Sequence, residues 1–158
     1  MTVSDSAVAG TREDLSGPAV EKRVVELGWT VAQRAVVQDD RTLIAKAVVN
    51  FSHLDVILTT GGTGLAPRDV TPEAIKQVAD REVPGFGELM RAEGLKTTKF
   101  APLSRGGAAT RGSALIVMLP GSPRGAVESL NAVVGLIPHV VDLLHGRTEH
   151  KENPGADS

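Results

Sequence analysis

The sequence predicts an α/β domain of three layers, αβα, built on a mainly parallel sheet. Apolar runs that are typical of buried strands alternate with stretches of helical periodicity, which favours parallel strands joined by helices. Two of the runs, residues 55–58 and 114–119, are each followed by a glycine turn and then by a proline that can begin a helix. Open sheets of this class bind ligands at the carboxyl ends of their strands, so both glycine turns are candidate ligand loops.

Each predicted element has a local signal. The first helix opens at Ser16 and is ended by Gly28, a typical C-cap residue. Asp40 and Thr71 stand where they can cap the next two helices. Residues 29–37 are rich in β-branched side chains and predict a strand. The sequence thus predicts strands at 1–3, 29–37, 55–58 and 114–119, helices at 16–27, 41–51, 72–79, 85–93, 124–134 and 138–144, and loops at 7–15, 80–85 and 95–113.

The composition indicates one soluble domain. The chain has 158 residues, of which 41% are hydrophobic, a net charge of −2 and no cysteine. These values argue against a nucleic-acid partner, a disulfide framework and a cysteine nucleophile. No continuous apolar run reaches the ~20 residues of a membrane span and no signal-peptide pattern opens the chain, so we expect no membrane partner and a cytoplasmic location. We expect one domain over residues 1–146 and a polar, disordered tail at 147–158.

The central feature is the loop string at residues 59–73. It carries three glycines and, in Arg68 and Asp69, a cation followed at once by an acid. Successive N–H groups in such a loop can form a concave site for an anion, and a neighbouring carboxylate is a usual ligand of Mg²⁺ beside a phosphate. These features favour a ligand-binding loop. An ordinary glycine-rich connection between strand and helix is the alternative.

Familiar phosphate-binding patterns do not describe this loop. A Walker loop requires Lys after its last glycine, and here Leu65 follows Gly64. The dinucleotide pattern requires a third glycine at the position held by Pro67. Any phosphate site in the loop is therefore of another kind.

A second candidate feature is an acidic pair, Asp39-Asp40, at the end of the strand predicted at 29–37. Asp40 has a structural role as an N-cap, whereas Asp39 has no capping role in the sequence pattern. Asp39 and Asp69 would then lie at the carboxyl ends of two neighbouring strands. At that position two carboxylates can share a Mg²⁺–nucleotide site. The alternative is that Asp39 is an ordinary solvated loop residue.

The second glycine turn repeats the design of the first. Pro120, Gly121 and Ser122 follow the apolar run, and Pro123 begins the next helix. A helix N-terminus beside a glycine turn favours an anion. This turn is therefore a second candidate for binding a phosphate group.

The loop string Thr59-Thr60-Gly61-Gly62-Thr63-Gly64-Leu65-Ala66-Pro67-Arg68-Asp69-Val70-Thr71-Pro72-Glu73 closely resembles the signature of one family, the molybdenum-cofactor biosynthesis proteins of the Mog/MoaB type, which are molybdopterin adenylyltransferases. The resemblance covers about residues 2–146, and its other motifs occur in the family's order. They are Val3-Ser4-Asp5, Ser16-Gly17-Pro18, Asp39-Asp40, Pro84-Gly85, Leu103-Ser104-Arg105-Gly106 and Leu119-Pro120-Gly121-Ser122-Pro123.

The resemblance implies a function and a site. The implied reaction is transfer of AMP from ATP to molybdopterin, with Mg²⁺ as cofactor. The resemblance also implies that the chain forms a homotrimer and that a separate molybdenum-insertion protein acts downstream of it. Asp39 and Asp69 match the acidic pair held essential in the family, as catalytic residues and metal ligands. The substrate-binding residues implied by the matched motifs are Ser4, Asp5, Thr60, Gly61, Gly62, Thr63, Gly64, Arg68, Ser104, Pro120, Gly121 and Ser122.

The chain departs from the family pattern at its amino end. Ser6 stands where family members usually have Arg, which removes one expected phosphate or substrate contact. Family members also have several more apolar residues ahead of Val3, so we expect that the first strand is truncated here or that residues are missing from the given sequence. Three alternative functions stay open: a paralogue that binds molybdopterin without adenylylating it, a hydrolase in a nucleotide-pyrophosphatase or deamidase context, and a non-enzymatic trimeric scaffold.

Overall fold

The computed structural model describes residues 1–147, so nearly all of the tail predicted at 147–158 lies outside the described residues. A six-stranded sheet has the order β2-β1-β3-β6-β5-β4. Its strands β1 to β6 are Thr2–Val3, Val36–Val37, Val56–Thr60, Arg81–Val83, Gly107–Arg111 and Ala114–Leu119. The helices α1 to α7 are Asp5–Val8, Ser16–Glu26, Arg41–Phe51, Thr71–Val78, Pro84–Gly94, Pro123–Val133 and Ile137–Leu144. Short 3₁₀ turns occur at Ala101–Leu103 and Val134–Leu136.

The strands and helices form three layers, as predicted. Helices α2, α5, α6 and α7 contribute to the core on one face of the sheet, and α3 and α4 contribute to the core on the other. Strand β6 lies between the two cores, because Leu115, Val117 and Leu119 face the first while Ile116 and Met118 face the second. Burying each such side chain fully stabilises the fold by about 1.5–3 kcal/mol.

The sheet is parallel where it carries the candidate site. Strands β2, β1, β3 and β6 run parallel to their neighbours, whereas β5 and β4 add an antiparallel edge. The carboxyl ends of β1, β2, β3 and β6 therefore meet at one edge of the sheet. This edge carries the loops that the sequence singles out.

The strand predicted at residues 29–37 is mostly wrong. Only Val36 and Val37 form a strand, because they pair with Thr2 and Val3 of β1. A strand needs a neighbour to satisfy its backbone groups, and residues 29–35 lie beyond the end of the short β1. The β-branched composition is right for a strand, but the chain described here supplies no pairing partner over most of its length.

Three elements were missed by the sequence pattern. Residues 107–111, predicted as part of an irregular stretch, form β5, which pairs along its whole length with β6. Glycine and alanine have low strand propensity, but pairing with a buried central strand overrides it. Residues 81–83 form β4 where only a break between helices was predicted, and residues 5–8 form the short α1.

The structure confirms only one of the two predicted helix N-caps, Asp40 and Thr71. Asp40 caps α3 by accepting the N–H of Leu43 at 2.9 Å, and Ser122 caps α6. The prediction for Asp40 is confirmed. Thr71 does not cap α4: it is the first helical residue, and its hydroxyl donates instead to the carbonyl of Gly61 at 2.9 Å. This bond fastens the start of α4 to the glycine loop.

One stretch is longer and more apolar than the sequence pattern suggested. Residues Pro123–Leu144 have the length and the mean hydropathy, 1.4, of a membrane-crossing helix. A 3₁₀ turn divides this stretch into α6 and α7, and Ala126, Leu130, Val133 and Ile137 are buried in the core. Only 17% of the most apolar window of this stretch is buried in the single chain, so most of the stretch lies at or near the surface.

Candidate active site

The two glycine turns meet at the carboxyl ends of β3 and β6. The N–H of Gly61 donates to the carbonyl of Leu119 at 3.1 Å, which continues the β3–β6 ladder into the turns. A side chain on Gly121 would place its Cβ 3.3 Å from the Cα of Gly61, so the two turns are in close contact. The fold therefore brings together the two loops that the sequence proposed separately.

The first turn requires glycine at consecutive positions. Gly61 and Gly62 have φ angles of 96° and 69°, in the left-handed region that other residues rarely adopt. A Cβ at Gly62 would lie 2.2 Å from the hydroxyl oxygen of Thr71 and 3.3 Å from Oδ1 of Asp39. The absence of side chains here lets the loop backbone approach the Asp39 carboxylate directly.

Replacing Gly62 by Ala should therefore be more damaging than replacing Gly28, which also has a positive φ but open space around it. Gly28→Ala should cost only the backbone strain, about 1–2 kcal/mol. Gly62→Ala should exceed that by roughly 1–3 kcal/mol, because its Cβ must displace Thr71. Urea denaturation of both variants measures the difference, and equal losses would show that the close contact with Thr71 carries no weight.

A cavity of about 370 Å³ opens over the two turns. Its polar groups come from Asp69, Ser104 and the loop backbone, and the side chains of Leu65 and Leu103 add apolar surface. Most of its lining was predicted from sequence. The lining residues are Gly62, Thr63, Gly64, Leu65, Asp69, Leu103, Ser104, Pro120 and Gly121.

Asp69 stabilises the part of the loop that precedes α4. One of its carboxylate oxygens accepts the N–H of Ala66 at 2.9 Å, closing a tight turn before α4. A Cβ on Gly64 would lie 2.7 Å from the same oxygen. Asp69 thus has a local structural role that the sequence pattern did not indicate, in addition to the metal role predicted for it.

Asp39 lies in a second polar cluster beside the loop. Its carboxylate accepts the N–H of Asp5 at 2.9 Å, and the carboxylate of Asp5 accepts the N–H of Asp39 at 3.0 Å. The guanidinium of Arg68 donates two hydrogen bonds to Asp5, each of 2.8 Å. The ends of β1 and β2 and the glycine loop are therefore tied together by three residues predicted to belong to the site.

The electrostatics of this cluster favour a cation. Burial raises the pKa of Asp39, and the negative charges of Asp5 and Asp69 add to the shift against the opposing effects of the Asp5 N–H and Arg68. The hydrogen bond from Arg68 is the main cause that lowers the pKa of Asp5. A positive charge bound beside Asp39 would therefore favour its ionised form.

The donor chemistry fits Mg²⁺, which prefers carboxylate oxygens and keeps open positions for water and phosphate. Across residues 1–147, no three acidic or histidine side chains converge into a ligand cluster. A magnesium ion held here would therefore rely on Asp39 and Asp69 together with phosphate oxygens of the substrate. That is the usual arrangement for a metal that arrives with a nucleotide.

Arg105 is the structural residue that sequence reasoning missed. Its side chain donates to the carbonyls of Gly64 at 2.8 Å and Asp69 at 2.7 Å and pairs with Glu73, while its backbone N–H donates to Thr63 at 2.8 Å. Guanidinium groups suit this role because they offer five donors in a fixed plane. The motif Leu103-Ser104-Arg105-Gly106 contains Arg105, but the resemblance implied a role only for Ser104.

The remaining predicted residues lie nearby in other roles. Ser4 caps α1 by accepting the N–H of Ala7 at 3.2 Å. Thr60 is only 2% exposed, and its hydroxyl shares a hydrogen bond of 2.8 Å with Ser16 beneath the loop. Ser122 accepts the N–H of Gly125 at 3.2 Å at the start of α6. Their predicted contacts with substrate stay predictions.

Arg91 of α5 contacts the segment that precedes β5. Among residues 1–147 it forms no ion pair with Glu88, three residues earlier in the helix. Arg91 donates instead to the carbonyls of Ser104 at 3.2 Å and Gly106 at 2.8 Å. It therefore supports the segment that carries Arg105.

Fold and site together define a three-layer α/β protein with its candidate ligand site at the carboxyl ends of the central parallel strands. A family model described as a probable molybdopterin binding domain matches residues 1–139. The chain belongs to this family, the molybdenum-cofactor biosynthesis proteins of the Mog/MoaB type.

Individual relatives agree with this assignment over most of the chain. The molybdopterin adenylyltransferase of Helicobacter pylori strain J99 is 44% identical, with 92% of this chain and 86% of the relative covered. The molybdopterin adenylyltransferase of Escherichia coli K12 is 38% identical, with 92% and 84% covered. The crystal structure of the molybdopterin biosynthesis enzyme MoaB from Thermus thermophilus is 48% identical and has a TM-score of 0.86, with 92% and 93% covered.

Proposed function

We propose that this chain is a Mg²⁺-dependent molybdopterin adenylyltransferase, which transfers AMP from ATP to the terminal phosphate of molybdopterin and releases pyrophosphate. The observation that carries the proposal is the placement of two carboxylates beside glycines of one loop: a Cβ added to Gly62 would lie 3.3 Å from the carboxylate of Asp39, and one added to Gly64 would lie 2.7 Å from that of Asp69. The names of the relatives from Helicobacter pylori and Escherichia coli support the same reaction.

In this reaction the protein needs to supply position and charge rather than a nucleophile. An oxygen of the molybdopterin phosphate attacks the α-phosphorus of ATP, and the bond from that phosphorus to the bridging oxygen of pyrophosphate breaks. The chain contains no cysteine, and no covalent intermediate with the protein is required. Holding the two phosphates in line accounts for most of the catalysis expected of such a site.

Each part of the site has a distinct task in the proposal. The backbone N–H groups of Gly62 and Gly64 and the turn at Gly121 would hold phosphate oxygens in the cavity. Asp39 and Asp69 would hold Mg²⁺, which when bound neutralises charge on the phosphates during transfer. Arg105 keeps the loop in the shape that this requires, through its bonds to loop carbonyls.

Release of pyrophosphate tests the proposal against the alternative functions. ATP and Mg²⁺ should yield pyrophosphate only after molybdopterin is added, at a rate that falls when Mg²⁺ is chelated. Pyrophosphate release without molybdopterin would favour a nucleotide hydrolase. Molybdopterin binding without pyrophosphate release would favour a binding paralogue or a scaffold.

We also propose a homotrimer, which acts in the cytoplasm and passes its product to a separate molybdenum-insertion protein. The terminal helices carry apolar side chains on more than one face. Of these, Leu136 and Leu143 stay 44% and 47% exposed in the single chain. The whole set is Val133, Val134, Leu136, Ile137, Val140, Val141, Leu143 and Leu144. Closed symmetric assembly is the usual way to cover such a surface.

Light scattering at micromolar concentration should give the mass of three chains. Leu136→Glu with Leu143→Glu should lower that mass to one chain if these residues lie in the interface, because a buried unpaired charge is costly. The surface pair Arg124→Ala with Glu128→Ala, on α6, serves as the control and should leave the trimer intact. A monomer mass for the unaltered chain would rule out the trimer.

A further inference from the structure

The two carboxylates proposed to hold Mg²⁺ each have one oxygen bound to a backbone N–H group. Oδ2 of Asp39 accepts the N–H of Asp5 at 2.9 Å, and Oδ2 of Asp69 accepts the N–H of Ala66 at 2.9 Å. The other oxygen of Asp39, Oδ1, lies 3.3 Å from the position that a Cβ on Gly62 would take. The bond from Asp5 therefore sets which oxygen of Asp39 faces the glycine loop.

Asp5 and Asp39 occupy equivalent positions beyond the ends of two paired strands. Val3 of β1 and Val37 of β2 are partners in the parallel register, and each aspartate lies two residues further along its chain segment. The pairing continues through the side chains, because the N–H of Asp39 donates to Oδ1 of Asp5 at 3.0 Å while the N–H of Asp5 donates to Asp39. Asp5 thus holds both the backbone and the carboxylate of Asp39.

Arg68 connects this pair to the loop that carries Asp69. Its Nε donates to Oδ2 of Asp5 and its Nη2 donates to Oδ1, each at 2.8 Å, so the guanidinium engages both oxygens of one carboxylate. Two-point pairing of this kind fixes direction as well as distance. We call these two residues the Asp5–Arg68 bridge.

The backbone of Arg68 lies inside a turn that Asp69 closes. The N–H of Asp69 donates to the carbonyl of Ala66 at 2.9 Å, and the N–H of Ala66 donates back to the Asp69 carboxylate. A displacement of Arg68 therefore also displaces Asp69. A connected series of bonds thus runs from Asp39 through the Asp5–Arg68 bridge to Asp69, although the two bridge residues are 63 positions apart in the sequence.

The exposure of the bridge argues against a role in stability. The side chains of Arg68 and Asp5 are 64% and 42% exposed. Exposed ion pairs contribute little to the free energy of unfolding. What the bridge fixes is the placement of two carboxylates relative to each other, and Mg²⁺ demands near-ideal octahedral geometry from its ligands.

We propose that Asp5 and Arg68 are positioning residues, which set the distance and direction between the carboxylates of Asp39 and Asp69 for a nucleotide-bound Mg²⁺. The inference rests on the proposed function, because it needs a metal ion at those two carboxylates. It gives both bridge residues a role without substrate contact, in place of the contact that the family resemblance implies. Loss of such outer partners of a metal site lowers metal affinity or activity by about 10- to 100-fold.

The test is the binding of an ATP analogue with a methylene group between its α and β phosphorus atoms, which cannot be cleaved at that bond. Calorimetry gives the Kd of this analogue for the unaltered chain, for Asp5→Asn and for Arg68→Gln, each with Mg²⁺ and with EDTA. Both variants should weaken binding at least ~10-fold with Mg²⁺ and less than ~2-fold with EDTA. Their Tm should fall by less than about 4 °C.

Two comparisons make the test specific. The double variant Asp5→Asn with Arg68→Gln should bind no more weakly than either single variant, because each residue acts through the other. Arg147→Gln removes a different Arg–Asp pair, with Asp142, whose side chains are 60% and 53% exposed. This variant should bind the analogue as the unaltered chain does.

Three results would overturn the proposal. The first is Mg²⁺-dependent binding by the unaltered chain that both variants keep in full, which would leave the proposed function intact and the bridge without a role in it. The second is an equal loss for Arg68→Gln with Mg²⁺ and with EDTA, which would make Arg68 a direct phosphate contact. The third is binding by the unaltered chain that Mg²⁺ does not change, which would remove the metal site and with it the proposed function.

Discussion

Replacing either Asp39 or Asp69 by Asn should lower the rate of adenylyl transfer by about two to three orders of magnitude. Asn keeps the size of the side chain and an oxygen that can accept the N–H of Asp5 or of Ala66, so the loop geometry survives. What disappears is the negative charge that would hold Mg²⁺ on the phosphates. Molybdopterin binding should persist, because the groups proposed to hold its phosphate are the backbone N–H groups of Gly62, Gly64 and the turn at Gly121.

The stability of Asp39→Asn should separate a functional role from a structural one. The folded state raises the pKa of Asp39 through burial, so this carboxylate favours folding at low pH and loses that contribution as the pH rises through its folded pKa. At neutral pH the ionised form is penalised, and Asn removes the penalty. The Tm of Asp39→Asn should therefore equal or exceed that of the parent chain at pH 7, and any advantage should shrink as the pH falls.

Asp40→Asn is the matched control. It changes the neighbouring carboxylate to an equally good N-cap of α3 and should be nearly silent in both activity and stability. The double variant of Asp39 and Asp69 should lose less than the product of the two single losses, because both residues act through one metal. Near-normal transfer by both single variants, together with a dead Asp40→Asn, would mean that the metal site has been assigned to the wrong carboxylates.

Replacing Arg105 by Ala should lower the rate of adenylyl transfer by about 10- to 100-fold. Arg105 is a positioning residue, because it acts by holding the loop and is not proposed to contact the substrate. The guanidinium holds the carbonyls of Gly64 and Asp69, and displacement of a loop by about 1 Å can cost that much. The loss should appear mainly in kcat at saturating ATP. Thermal stability should fall as well, by roughly 1–3 kcal/mol, since the loop carbonyls lose their donors.

Two comparisons make the Arg105 prediction specific. Arg105→Lys keeps the charge but not the planar fork, and should recover only part of the activity. Arg124→Ala, which removes an exposed arginine that pairs with Glu128, should have no effect. Burial alone would raise the pKa of Glu73, but Arg105 reverses the shift and lowers it. Equal activity of Arg105→Ala and Arg124→Ala would show that the loop keeps its shape without the hydrogen bonds from Arg105.

The sequence predicted those features that have a short-range physical cause. The cap at Asp40 and the glycine turn at Gly61 and Gly62 follow from local backbone requirements, and the structure confirms both. The run at 114–119 is apolar at every position, and only a strand buried on both faces suits it. The three-layer fold follows from the order of these elements.

Features that depend on contacts between residues far apart in the sequence could not be predicted. Residues 107–111 become a strand only because β6 lies beside them, and residues 29–35 fail to become one because β1 is too short to pair with them. Arg105 is 36 residues from the Asp69 carbonyl that it holds, so the motif around it marks the residue but does not show which groups it contacts. The structural bond of Asp69 to Ala66 was missed because either a metal ligand or a turn residue can be Asp.

Analysis of the reaction product by mass spectrometry tests the central claim most directly. The purified chain, incubated with molybdopterin, ATP and Mg²⁺, should form adenylylated molybdopterin and one pyrophosphate for each adenylylated product. The Asp39→Asn variant in the same assay should form it at least ~100-fold more slowly. Either of two results would contradict the account. The first is that molybdopterin stays unmodified after incubation with the chain, ATP and Mg²⁺, and the second is that ATP is cleaved to AMP without forming adenylylated molybdopterin.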